Sequence, residues 1–186
     1  MGTLRIMQGG SRDRRAKERR FWRDSRGATA IEFAILSIPT IAVLCASLQT
    51  ALIMFFGQAL QTQTNNAARQ ILVGSVQSQN LSQSAFQTLV CNSPPKAFAC
   101  ANLYVDVQSA ASFSALSTTP ITLTYDSKGN VTNTWNYSTG GKGSAVILRV
   151  LYQWPVFGGP LGIGLANQSN GTHLLVGTSV FQTEPY

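Results

Sequence analysis

The chain has 186 residues, enough for one modest domain besides any membrane segment, and a formal charge of +7. Residues 1–26 hold nine of the fourteen basic residues and three of the seven acids, so that stretch carries +6 and the remaining 160 residues carry +1. The basic pI of about 9.8 therefore describes a tail. It does not indicate a basic surface for nucleic acid on the body of the protein.

The first 27 residues read as a basic leader. After it, residues 33–56 (FAILSIPTIAVLCASLQTALIMFF) contain no charge. A helix of that length is roughly 36 Å long at about 1.5 Å per residue, against about 30 Å for the hydrocarbon core of a bilayer. A secretory signal peptide has a shorter apolar core followed by a small-residue cleavage site. Here the run is longer and the basic cluster precedes it. The positive-inside rule then puts residues 1–26 in the cytoplasm and the body outside. Pro39 removes one helical hydrogen bond, so a bend or loosening is expected near residues 35–38. Ser37, Thr40, Ser47 and Thr50 are placed to satisfy backbone groups in a membrane helix.

Glu32 stands at the edge of this run, where a carboxylate is costly without a partner. The junction reads Arg26-Gly27-Ala28-Thr29-Ala30-Ile31-Glu32-Phe33. Gly27, with no side chain, lets the backbone enter a narrow cleft in extended form. Glu32 lies four residues beyond Ala28, one helical turn along the same face. A free amine on Ala28 would offset much of the cost of burying that carboxylate.

Beyond the apolar run, Leu60, Ala67, Ala68, Ile71 and Leu72 recur at helical spacing, so the helix is expected to continue to about Val76, weakened at Gly57 and Gly74. Leu81, Ala85, Phe86, Leu89 and Val90 predict a second short helix ending at Cys91. Pro94 and Pro95 exclude helix in the loop that follows. Cys91 and Cys100 bracket that loop. An even pair closing a short loop fits a disulfide in an oxidising compartment, stabilising by roughly 2–3 kcal/mol through loop closure. Cys45 lies apart, in the apolar run.

From Leu103 the period changes to two, with Leu103, Val105 and Val107 alternating with Tyr104, Asp106 and Gln108. Residues 121–125 and 131–137 flank Asp126-Ser127-Lys128-Gly129-Asn130, a hairpin signal. Residues 145–154 form the strongest predicted strand, residues 158–164 a Gly/Pro-rich loop, and residues 174–182 a last strand. The expected architecture is α+β: a long hydrophobic N-terminal helix forming a single membrane span, then a small antiparallel sheet as an extracytoplasmic head. The expected domains are the leader (1–27), the transmembrane and assembly helix (28–57), a helical extension with a short second helix (58–91) and a β-rich head (92–186).

Catalytic chemistry has little support. His173 is the single histidine, with no second histidine or carboxylate near it in sequence, so no metal site is expected. No acid–base pair or activated nucleophile stands out, and the Gly-rich GGPLGIG lacks the helix and Lys-Ser/Thr of a phosphate loop. No cofactor is expected and the chain does not read as an enzyme.

The junction resembles the prepilin processing motif of type IV pilins and pseudopilins. That resemblance implies cleavage by a membrane prepilin peptidase between Gly27 and Ala28, with Glu32 and Phe33 completing the processing and assembly motif. It also implies a pilin-like fold and a Glu32 that meets the N-terminal amine of a neighbouring subunit. More narrowly, Gly27-Ala28, Ile31-Glu32-Phe33, Pro39 and Ala67-Ala68-Arg69 together resemble TadE-like minor pseudopilins of the tight-adherence (Tad/Flp) pilus system, as does the C-terminal FQTEPY. Residues 20–75 carry most of the likeness. The partners it implies are prepilin peptidase, other pilins and minor pseudopilins, the inner-membrane pilus assembly platform and membrane lipid, without nucleic acid. The body, some 130 residues past the membrane segment, is too long for a major Flp pilin, which has almost no head. The competing reading is an unprocessed bitopic membrane protein whose periplasmic head binds a ligand or partner.

Overall fold

The computed structural model describes residues 26–156 and 164–185, with side chains from residue 29 onward. Residues 1–25 of the expected leader (1–27) and most of the Gly/Pro-rich loop expected at 158–164 fall outside the described residues. The chain divides into two compact units, Met1–Cys45 and Ala46–Tyr186.

Helix α1 runs from Arg26 to Leu72 and is long and apolar enough to cross a membrane. It is unbroken at Pro39. Thr40 Oγ1 donates to Leu36 O at 2.8 Å and Ser37 Oγ to Ala34 O at 3.0 Å, so hydroxyls bond the backbone on either side of the proline. In the first unit Ile31, Phe33, Ile35, Leu36, Ile38, Ile41, Val43 and Leu44 are all more than half exposed. No stripe of buried positions runs along this half of the helix, as expected when an apolar medium surrounds it.

In the second unit the burial pattern changes. Ile53, Phe56, Leu60, Gln63, Thr64, Ala67 and Ile71 recur at three- and four-residue spacing and face the head. The helix stops earlier than its periodicity predicts. Gly74 adopts φ 76 and its N–H bonds Ile71 O at 3.1 Å, a left-handed glycine closing the last turn. The chain resumes in one short turn, α2 (Ser75–Ser78). Helix α3 (Gln83–Asn92) starts where Ser82 Oγ accepts from Ala85 N and buries Phe86, Val90 and Cys91.

Three strands follow: β1 (Leu103–Ala110), β2 (Ala145–Pro155) and β3 (Thr172–Gln182). They form one antiparallel sheet in the order β1-β2-β3, so the α+β architecture is observed. The inner face carries Leu103, Val105, Val107, Val146, Leu148, Val150, Tyr152 and Leu175 against α1 and α3. Along β3 that face narrows to Gly177 and Ser179, paired with Val150 and Leu148. There α1 comes closest: a Cβ at Gly177 would collide with Thr64 Oγ1 and lie 3.1 Å from Leu60 O.

The expected strands at 121–125 and 131–137 do not form a ladder. Only single bridges occur, Tyr125 with Val131 and Val107 with Tyr137. Side chains take over the backbone groups: Asn133 Oδ1 accepts from Thr124 N at 2.8 Å and Asn133 Nδ2 donates to Thr122 O at 2.9 Å. The turn itself forms as predicted. Asp126 Oδ1 accepts from Lys128 N and Asn130 N, both at 2.8 Å, and Gly129 takes φ 82.

Candidate processing and assembly site

Gly27 and Ala28 lie in helical backbone, within the first turn of α1. Extended entry into a peptidase cleft therefore requires that turn to open. The first turn has no acidic residue to complement the helix dipole. Glu32 and Phe33 are exposed, Phe33 by 74%. Glu32 makes no ion pair among the described residues; the salt bridge found there is Arg149–Asp106. A carboxylate one turn from Ala28, on an uncovered apolar helix, is thus open to a cation brought from outside this chain.

Cys91 and Cys100 form a disulfide, with Cα atoms 5.5 Å apart, and Cys45 is a free thiol. The bridge ties α3 to the start of β1 and fixes a loop that grips α1 twice. Gln63 Nε2 donates to Ser93 O at 2.7 Å. Phe98 is buried and meets Phe56 edge-on at 6.0 Å and Tyr152 at 4.8 Å.

Three further features have no local signature in the sequence. Asp106 and Arg149 are cross-strand partners, both buried, with nitrogen and oxygen 3.9 Å apart. Asp106 also accepts from Asn136 N (2.9 Å), Asn136 Nδ2 (3.1 Å) and Gln108 Nε2 (2.8 Å), while Arg149 donates to Ser117 O. Every partner is structural, and together they pin the 111–144 connection to the outer face of the sheet. Second, Gln61 acts as a strand surrogate at the β3 edge: Nε2 donates to Thr178 O (2.8 Å) and Oε1 accepts from Thr178 N (3.1 Å). Third, a cleft of about 550 Å3 opens on the outer face, lined by Pro120, Ile121, Arg149, Val176 and Val180 among others.

Among the described residues no group of three or more His, Cys, Asp or Glu side chains could hold a metal ion. His173 Nδ1 lies 2.5 Å from Leu165 O, a backbone contact. Two tyrosines have raised pKa values: burial lifts Tyr137, and burial followed by the nearby Tyr125 lifts Tyr104. Tyr137 Oη donates to a backbone acceptor, Leu81 O, at 2.9 Å. No family model, curated protein or solved structure matches this chain.

Proposed function

We propose that the chain is a TadE-like minor pseudopilin of a tight-adherence pilus system, held in the inner membrane with its leader cytoplasmic and its pilin-like head periplasmic. A prepilin peptidase removes the leader between Gly27 and Ala28. The mature helix then packs laterally with other pilins and minor pseudopilins at the assembly platform, where Glu32 meets a subunit's terminal amine and sets register. One observation carries the reading. Among the described residues, one helix carries Gly27 and Ala28 in its first turn, is apolar and largely exposed from Ile31 to Leu44 with Glu32 making no ion pair there, and packs against a sheet from Ile53 onward. In low dielectric an unpaired carboxylate is costly, and a new amine one turn away on a neighbouring helix offsets that cost.

The test is the mature N-terminus of the membrane-extracted protein, read by mass spectrometry with and without Gly27→Ala. A start at Ala28 that is lost in the variant is expected. An intact leader in cells with an active prepilin peptidase would refute the proposal. It would favour the second reading, an unprocessed bitopic protein, for which the outer-face cleft beside Val176 and Val180 offers a ligand site.

A further inference from the structure

The head meets α1 lower than the end of the apolar run. Strand β2 runs antiparallel to the helix: Glu184, past the end of β3, bonds Leu72 O at 3.0 Å at the far end, whereas Trp154 stacks on Phe56 at the near end, ring centroids 4.1 Å apart. Past Trp154 the chain continues downward. Trp154, Pro155 and Val156 enclose a small apolar cavity of about 80 Å3 with Gln49, Leu52 and Ile53. On the open side of the same helix, Met54 and Phe55 are 70% and 65% exposed. Residue 55 lies six residues beyond Gln49, about 9 Å along the axis. The end of β2 therefore sits level with, or below, large apolar side chains that remain exposed among the described residues.

From this geometry we infer that the Trp154-Pro155-Val156 end of β2 is a membrane contact, lying in the interfacial zone of the outer leaflet and fixing the head upright on the bilayer. The inference rests on the reading of α1 as a membrane span. If Met54 and Phe55 are in lipid, the tip of β2 is at lipid depth as well. Its chemistry suits that place: Gln153, Trp154, Pro155 and Val156 carry no charge, Trp154 offers a large apolar ring with one N–H, and tryptophan is enriched at bilayer interfaces. The aromatic group Phe56, Phe98, Tyr152 and Trp154 stiffens this end, each ring within 6.4 Å of another. The opposite end of β2, near Gly141, is roughly 36 Å away at about 3.3 Å per residue, and so stands clear of the bilayer.

Three single-tryptophan forms of the full chain, reconstituted in phosphatidylcholine vesicles, test this. The first keeps Trp154 and carries Trp22→Phe and Trp135→Phe. The other two carry phenylalanine at all three native tryptophans plus either Gly141→Trp or Ile41→Trp. Emission is read in vesicles whose acyl chains are brominated at shallow or deep carbons. The expected result is loss of Trp154 emission with shallow bromines, loss of the Ile41→Trp emission with deep ones, and none for Gly141→Trp. Quenching at position 41 but not at Trp154 would overturn the inference and leave the membrane span standing. Quenching at both 154 and 141 would overturn the upright orientation. No quenching at position 41 would remove the span and the inference together.

Discussion

The closest approach of helix to sheet is a glycine, and a methyl group placed there should be costly. In Gly177→Ala the new Cβ collides with Thr64 Oγ1 and comes within 3.1 Å of Thr64 Cβ and Leu60 O. Thr64 is fully buried and its hydroxyl donates to Leu60 O at 2.8 Å, so swinging it aside forfeits that bond, about 1 kcal/mol. The Leu60 carbonyl is helix backbone, and it can retreat only if α1 shifts off the sheet. Overpacking of this kind typically costs about 1–3 kcal/mol, so a total of about 2–4 kcal/mol is expected. For a domain of this size that is a fall in melting temperature of roughly 5–12 °C. The assay is thermal unfolding of the full chain in detergent, followed by far-ultraviolet circular dichroism. Adding Thr64→Ala should recover part of the loss, a coupling that independent sites would not show. The opposite sign would refute the packing. In an uncrowded strand, replacing glycine by alanine stabilises by about 0.5–1 kcal/mol, so an unchanged or raised melting point means α1 does not lie on Gly177.

Reduction of Cys91–Cys100 should lower stability by about 2–3 kcal/mol and release Phe98 from Phe56, seen as a lower urea midpoint in dithiothreitol. Arg149→Met should cost about 3–5 kcal/mol in the same assay because it leaves Asp106 charged and buried, and a loss under about 1 kcal/mol would show that the pair is not dry. Two groups make the stability of the head depend on pH. Asp126 is held below its ordinary 3.8 by hydrogen bonds, first from the Asn130 side chain, so its contribution is present above 3.8 and lost as pH falls through the folded value. Tyr137 is raised above 10.0 by burial while its hydroxyl donates to Leu81 O at 2.9 Å. Its contribution is therefore present below 10.0 and lost as pH rises through the folded value, and Tyr137→Phe should remove a step displaced above 10.0 from a tyrosinate absorbance titration.

Local pattern was enough for α1, the second helix and the three strands. A charge-free run identifies the first half of α1. Strict alternation identifies β1, and a dense run of Val, Ile, Leu and aromatics identifies β2. The disulfide was legible because its two cysteines are close in sequence. The features left unread join distant residues. Asp106 meets Arg149 only once β1 and β2 are in register across residues 111–144, and no local period announces that register. Gly177 reads as a weakness in a strand until Thr64 is known to lie over it. Residues 121–137 look like a hairpin by alternation, yet their Thr and Asn side chains take the backbone bonds that a ladder needs. Glu32 and Phe33 are where helical spacing puts them, exposed on the first turns of α1. On the proposed reading their partner is a neighbouring subunit, which one sequence does not contain.

The exposed apolar half of α1 would be costly in water. Between Ile31 and Phe55, twelve large apolar side chains are 48–74% exposed in the isolated chain. Full burial of such a side chain is worth about 1.5–3 kcal/mol, so leaving these in water forgoes on the order of 10–20 kcal/mol, as much as the whole net stability of a typical domain. Such a helix is better matched to an apolar medium than to water, whether lipid or, on the proposed reading, the matching helices of neighbouring subunits. Exchanging one for the other changes little in apolar burial, because lipid tails are as apolar as leucine. The balance between membrane and assembly then falls to the few polar groups on the helix, and Glu32 is the only charged one from residue 29 to Gln58. On the proposed reading, the new amine of a processed neighbour would pair with it, and leader removal would then bear directly on lateral packing.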